Sequence, residues 1–331
     1  VELFGRRYAA PIGIAPMGMG GLLWPRAEIH LATAAQAMNV PYVLATPASA
    51  SIEEVAAVAP DVFWFQLYGA PREDNRITFD LVRRAAAAGA HTLVVTIDTP
   101  VRAKRPRDWR NGLSVPFKPT LRTIVDIATS PAWALEVLKQ GVPRSANFIP
   151  YAGASPTAGA VAACVQRELR GGFLWETVER VRKLWPRALV VKGIIHPDDA
   201  MRALALGADG IVVSNHGGRT LDAAPASIDM LPAVVERVGA KMTVLMDSGI
   251  RTGLDVARAL ALGARLVLTG RPFLFGVAAL GSGGGTHVLE FFADEIRMAM
   301  GQVGAKTVAE LRQATVLHPN ALKLPFSGAN A

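Results

Sequence analysis

Eight short apolar runs interleaved with helix-patterned stretches restrict the folds open to this chain more than any other feature. The runs are PIGIAP (11–16), PYVLAT (41–46), VFWFQLY (62–68), TLVVTID (92–98), ALVVKG (188–193), GIVVSN (210–215), TVLMDSG (243–249) and LVLTGR (266–271). Each is close to continuously hydrophobic rather than alternating, as a strand covered on both faces requires. The segments between them, such as DLVRRAAAAGA, ETVERVRKLW and PDDAMRALALGA, carry apolar residues at helical spacing. Eight β-α units in series predict an α/β chain closed into a TIM (β/α)8 barrel. An open doubly wound sheet also alternates strand and helix, but no dinucleotide-binding glycine fingerprint accompanies any run.

About 90 residues separate the fourth run from the fifth, far more than one β-α connection needs. A long insertion after strand 4 is therefore expected, about 101–173, on the loop face of a single domain spanning 1–331. Its content reads as irregular and proline-rich, with one moderately amphipathic piece, TIVDIATSPAWALEVL. A lid, an oligomer contact and a membrane-touching element all fit such an insertion. The chain opens Val1-Glu2-Leu3-Phe4, with neither an initiator Met nor a signal peptide, so an N-terminal segment is expected to be missing upstream.

Of the 331 residues 51% are apolar and only 19% charged, which excludes a disordered chain and fits a well-buried α/β enzyme. No apolar run reaches the roughly 18 residues needed to span a bilayer. Cys164 is the only cysteine, so no intrachain disulfide forms and a reducing, cytoplasmic location is the natural expectation. The net charge of +8 is concentrated: residues 101–145 hold nine Lys or Arg against three Asp or Glu. A nucleic-acid binder would spread its basic residues along a groove or interleave them with aromatics, and no such signature is present, so no nucleic-acid partner is expected.

In a barrel of this kind the reacting groups come from the C-terminal ends of the strands. Those ends supply Met17 and Gly18, Thr46, Gln66 and Tyr68, Thr96 and Asp98, Lys192, Ser214 and His216, Asp247, and Gly270 with Arg271. His216, in SNHGGRT (214–220), lacks companions at metal-ligand spacing, so no metal site is expected. A structural loop histidine would not need the flanking glycines, which serve where backbone must approach something closely. As a general base it needs an orienting acid, and Asp98 can supply one across the barrel mouth. Arg219 then suits a carboxylate substrate through its planar fork, although a surface pair with Asp222 is the competing reading. Gly249, Arg251, Gly270 and Arg271 read as a phosphate cradle in the loops after strands 7 and 8. Lys192, inside an apolar run, must be paired, shifted or set against an anion; a Schiff-base nucleophile is the alternative. GSGGGTH (281–287) lacks the Lys-Ser/Thr pair of a nucleotide loop and reads as a flexible connector.

SNHGGR, with PIGIAP, WFQLY, TIDTP, LVVKG, MDSGIR and TGRP in order, resembles the FMN-dependent α-hydroxy-acid oxidizing family over nearly the whole chain. The resemblance implies FMN as cofactor and oxidation of a mandelate-like or lactate-like 2-hydroxy acid to the 2-oxo acid. It makes His216 the active-site base, taking either the α-proton or the hydroxyl proton, and Asp98 the group that stabilises its protonated form. Arg219, helped by Arg105 of the insertion, would hold the substrate carboxylate, and Tyr68 would contact the substrate oxygen. Lys192 would stabilise the reduced anionic flavin. Pro16, Met17, Gly18, Gln66, Thr96 and Ser214 would border the flavin ring, Asp247 the ribityl chain, and Gly249, Arg251, Gly270 and Arg271 the phosphate.

GLLWP (21–25), the run at 130–148 and LWP (184–186) look most like the mandelate dehydrogenase branch. That likeness implies a quinone rather than oxygen as electron acceptor, peripheral contact of the insertion with the inner face of the membrane, and a homo-oligomer, a tetramer. The positive charge of the insertion is compatible with anionic lipid. Three positions depart from the family pattern: its substrate-binding tyrosine upstream of the first strand has no counterpart, Met17 stands where threonine is common, and Ala45 where serine is common. Gly18 replaces the alanine typical of oxidases and agrees with dehydrogenase-like members, so the electron acceptor, quinone or oxygen, and the substrate size stay open. Three rivals remain open: another FMN barrel of isomerase type, a flavin-binding scaffold without turnover, and a basic membrane-surface or interaction protein that kept the barrel.

Overall fold

A computed structural model describes residues 1–101, 110–112, 120–314 and 316. Its centre is the expected barrel, eight parallel strands closed on themselves. These are β3 (Ile12–Ile14), β4 (Tyr42–Leu44), β5 (Phe63–Leu67), β6 (Thr92–Thr96), β7 (Ala188–Ile194), β8 (Gly210–Val213), β9 (Thr243–Met246) and β10 (Val267–Thr269). β10 closes the ring by pairing with β3, Val267 opposite Ile12 and Thr269 opposite Ile14. Every residue of β5, β6 and β8 is buried, as their unbroken hydrophobicity requires of strands with helices outside and side chains filling the interior.

Two further strands precede the barrel. β1 (Glu2–Leu3) and β2 (Arg6–Arg7) form an antiparallel hairpin turning through Phe4 and Gly5, both at positive φ. Phe4 and Tyr8 pack on Trp64 of β5, and the indole Nε1 donates to the Tyr8 hydroxyl at 2.9 Å. Phe4 also lies against Gly210, the first residue of β8, so the hairpin closes the N-terminal floor of the barrel, the end away from the strand termini that carry chemistry.

The outer helices begin with α1 (Ala27–Ala37), α2 (Ile52–Val58) and α3 (Arg72–Ala87). The insertion is more regular than its prolines suggest. The amphipathic piece is two helices, α4 (Leu121–Ala128) and α5 (Pro131–Gln140), because Pro131 disfavours helical backbone at Ser130 and starts a new helix at its own first position. A 3-10 turn (Ala146–Tyr151) and α6 (Ala158–Glu168) follow, before α7 (Trp175–Leu184) returns the chain to the barrel. The returning limb is tied to the loop after β4: the buried amide of Asn147 accepts from the Ile52 N–H at 2.9 Å and donates to the Thr46 carbonyl at 3.3 Å.

The remaining helices are α8 (Pro197–Ala205), α9 (Ser227–Val238), α10 (Gly253–Ala261), α11 (Arg271–Leu280), α12 (Gly284–Gln302) and α13 (Val308–Leu311). Here the glycine-rich stretch at 281–287 differs from expectation. It is one 3-10 turn and the first turn of α12, and its glycines serve contact: a Cβ on Gly284 would lie 2.2 Å from the Gly276 carbonyl of α11.

Candidate active site

The loop after β8 makes the sharpest turn at the barrel mouth. His216, Gly217 and Gly218 all adopt left-handed backbone, at φ 58, 68 and 70°. Two glycines make such a run affordable, while His216 itself carries a strain of roughly 1–3 kcal/mol that its contacts must offset. Those contacts are specific. The His216 N–H donates to the Ser214 hydroxyl at 3.1 Å, and the Gly217 N–H donates to the Ser248 hydroxyl at 2.9 Å. A Cβ on Gly217 would meet the Arg271 guanidinium at 2.7 Å; in its absence Arg271 donates to the Gly217 carbonyl at 3.1 Å.

The imidazole is held from two sides. Its Nδ1 lies 2.8 Å from Asp98 Oδ1, supplied by the loop after β6, and its Nε2 lies 3.1 Å from the Tyr68 hydroxyl, just past β5. A carboxylate only accepts, so Asp98 assigns the proton to Nδ1 and leaves the Nε2 lone pair on the Tyr68 side. All three side chains are partly buried. This is the geometry of an oriented base with a hydroxyl donor beside its basic nitrogen.

Beneath them lies a buried charge pair. Lys192 Nζ is 2.7 Å from Asp247 Oδ2 and donates to Ser214 Oγ at 2.6 Å. Burial works against the Lys192 charge, but the Asp247 carboxylate and then that of Asp98 outweigh it and hold the ammonium above its ordinary value. Burial likewise opposes the charge on Asp247, and the ammonium holds that carboxyl below its usual range. Asp247 also accepts from Ser248 at 2.9 Å, so β7, β8 and β9 converge on one network whose upper end is the His216 turn.

Gln66 and Thr96 form a second buried network. Gln66 Oε1 accepts from the Thr46 N–H at 3.1 Å, its Nε2 donates to Thr96 Oγ1 at 3.0 Å, and the Thr46 hydroxyl also accepts from the Tyr68 N–H at 2.9 Å. Pro16 and Met17 are half-buried and Gly18 is exposed after β3, with Met17 across from Gly270, where a Cβ would come within 3.2 Å of its sulfur. On the far lip, Ser248 and Gly249 turn through φ 78 and 80°, with open space where a Gly249 side chain would stand. Burial, then the guanidiniums of Arg251 and Arg219, push Arg271 below its ordinary value. Arg251 and Arg271 beside an open glycine turn and the N-termini of α10 and α11 fit a phosphoryl group. A buried lysine at the base and amide and hydroxyl groups along one wall fit the polar edge and chain of a flavin mononucleotide.

The structure therefore joins Asp98, His216 and Tyr68, joins Lys192, Ser214 and Asp247, and joins Gln66 to Thr96. Arg219 is exposed at the end of the His216 turn, near enough for Arg271 to feel its charge. Arg105 lies outside the described residues. Ser248 and Asn147 went unnoticed in the sequence: the first was visible as a hydroxyl inside DSG, whereas nothing in the pattern around 147 marks an amide that ties two loops together.

Barrel and mouth together define a flavin-type phosphate-binding barrel with an acid-paired histidine at its opening. The chain belongs to the FMN-dependent dehydrogenase family, whose profile matches residues 1–318. Relatives include L-lactate dehydrogenases of Azorhizobium caulinodans and Caulobacter vibrioides. Each is 41% identical, covering 96% and 98% of this chain and 83% and 84% of the relative. The solved structure of the monotopic membrane protein (S)-mandelate dehydrogenase is similar at a TM-score of 0.88 and 38% identity, covering 94% of this chain and 82% of that one. Mandelate oxidase with (S)-4-hydroxymandelic acid gives 0.79 at 41% identity, covering 95% and 81%. The chain is an FMN-dependent oxidoreductase of 2-hydroxy acids.

Proposed function

We propose that the protein oxidises a small 2-hydroxy acid of the (S) hand, lactate-like or mandelate-like, with His216 as its base. The observation that carries this reading is the Asp98–His216–Tyr68 line, which leaves a basic nitrogen at the barrel mouth beside a hydroxyl donor. His216 Nε2 takes up the proton released at the substrate's hydroxyl-bearing carbon unit, and Asp98 stabilises the imidazolium that results. Tyr68 donates to the substrate oxygen. Arg219, with Arg105, holds the carboxylate and so fixes the carbon beside it. FMN, when bound, supplies the two-electron acceptor. Lys192 offsets negative charge at the inner edge of the cofactor, with Pro16, Met17, Gly18, Gln66, Thr96 and Ser214 along the ring, Asp247 toward the ribityl chain, and Gly249, Arg251, Gly270 and Arg271 at the phosphate.

Anaerobic addition of (S)-lactate, (S)-mandelate and glycolate to the yellow holoenzyme tests the reading. One of them bleaches the visible flavin band and the (R) acid does not. A yellow protein that no 2-hydroxy acid bleaches would count for a scaffold without turnover.

A second reading concerns location. No described helix is long and apolar enough to cross a membrane. Yet α4 and α5 expose Leu121, Ile124, Val125, Leu135 and Leu138, the first and last more than 80% exposed. That face, the basic character of the insertion and the likeness to a monotopic membrane protein support peripheral contact with an anionic bilayer; a quinone as acceptor and a homotetramer follow only from the resemblance to the mandelate dehydrogenase branch.

A further inference from the structure

β7 is not a regular strand. Lys192 pairs with Val212 and Ile194 with the next residue, Val213, so Gly193 is an extra residue bulged out of the ladder. Its φ is 102°, a conformation that side chains other than hydrogen rarely adopt. The space a side chain would need is already taken: a Cβ on Gly193 would lie 2.6 Å from Asp98 Cβ, 2.7 Å from its Cγ and 2.9 Å from its backbone nitrogen. Backbone and carboxylate of Asp98 are thus pressed against the bulge from the β6 side, where the Ile97 N–H is bonded to the Lys192 carbonyl at 2.9 Å.

We propose that the Gly193 bulge is the positioning element of the Asp98–His216 pair. By having no side chain it lets Asp98 sit deep enough between β6 and β8 to hold the imidazole at 2.8 Å. Two requirements meet at this residue. Lys192 and Ile194, on either side of the bulge, are both buried, and Lys192 keeps its reach to Ser214 and Asp247. Gly193 touches none of the reacting groups. On the base it acts through Asp98, and the inference rests on His216 being the base.

The test is a cycle of Gly193→Ala, Asp98→Asn and the pair, on FMN-loaded enzyme, reading flavin content, substrate dissociation constant and anaerobic flavin-reduction rate. Gly193→Ala is expected to keep FMN, to leave substrate binding within about threefold, and to slow reduction about 100-fold, as a displacement of about an ångström does in an aligned site. In the Asp98→Asn background the same change adds less than about threefold, because the group it displaces no longer orients the base. Reduction at the parent rate, or losses that multiply in the double variant, would overturn the proposal. Should Gly193→Ala fail to fold, Asp98→Gly removes the two side-chain atoms that its Cβ strikes, Cβ and Cγ, and leaves only the backbone nitrogen at 2.9 Å. Higher FMN content in that double variant than in Gly193→Ala alone supports the proposal, and content no higher refutes it. His216→Gln, which leaves Gly193 and its contact with the Asp98 backbone and Cβ in place, separates the two readings: parent-rate reduction there ends the base assignment, while non-additive flavin content and thermal stability between positions 193 and 98 still report the contact.

Discussion

At the scale of single residues, the site is a set of charges and polar atoms placed where burial makes each depend on its neighbour. Lys192 and Asp247 are both buried, and each would be costly alone. Lys192→Met should therefore destabilise the fold by about 3–5 kcal/mol, seen as a lower denaturant midpoint, because the Asp247 carboxylate is left uncompensated. Glu28 is the opposite case. It lies buried at the start of α1, its Oε1 accepting from the N–H groups of Gly20 and Ser49 at 2.9 Å, while its Oε2 has no hydrogen-bond partner among the described residues. Burial pushes this carboxyl up, against the pull of the Ser49 and Gly20 hydrogen bonds. A group whose folded value lies above its unfolded one binds its proton more tightly when folded. Its contribution is greatest below the ordinary value of 4.5 and is lost as pH rises through the folded value. Glu28→Gln keeps the accepting oxygen and removes the titration. Thermal melts should show a gain over the parent at pH 8, about 1–2 °C for each kcal/mol relieved, that shrinks at pH 4.5.

At the scale of elements, pattern revealed faces and hid contacts. The eight strands were legible because a buried parallel strand must be apolar throughout, and the functional side chains could be read off the C-terminal end of such a run or the few residues past it. The insertion was legible only in part. Apolar residues of TIVDIATSPAWALEVL mark a helical face, but Pro131 divides it, and periodicity says nothing of what covers the face. In the folded chain much of it is uncovered, which supports lipid contact. Leu121→Glu combined with Leu138→Glu should abolish co-flotation with anionic vesicles and leave flavin reduction unchanged; flotation equal to the parent's would remove the insertion from the membrane reading. The glycines of 281–287 were misread for a physical reason: a glycine needed for close helix approach looks the same in sequence as one needed for a flexible turn. The Gly193 bulge was hidden too, since a bulge is a property of pairing between strands and leaves no local signature.

At the scale of the whole molecule, the barrel does what no single element could. It brings Tyr68 and Asp98, which lie 148 and 118 positions from His216, within hydrogen-bond distance of its two ring nitrogens. The bond from Nδ1 to Asp98 selects the tautomer, the glycine turn aims the ring, and the charge pair below fixes the turn through Ser214 and Ser248. The most direct test of this arrangement is the anaerobic flavin-reduction rate of His216→Gln at FMN content equal to the parent's. The account predicts full cofactor retention and a rate at least about 100-fold lower, the contribution expected of a positioned general base. Reduction at the parent rate would contradict it.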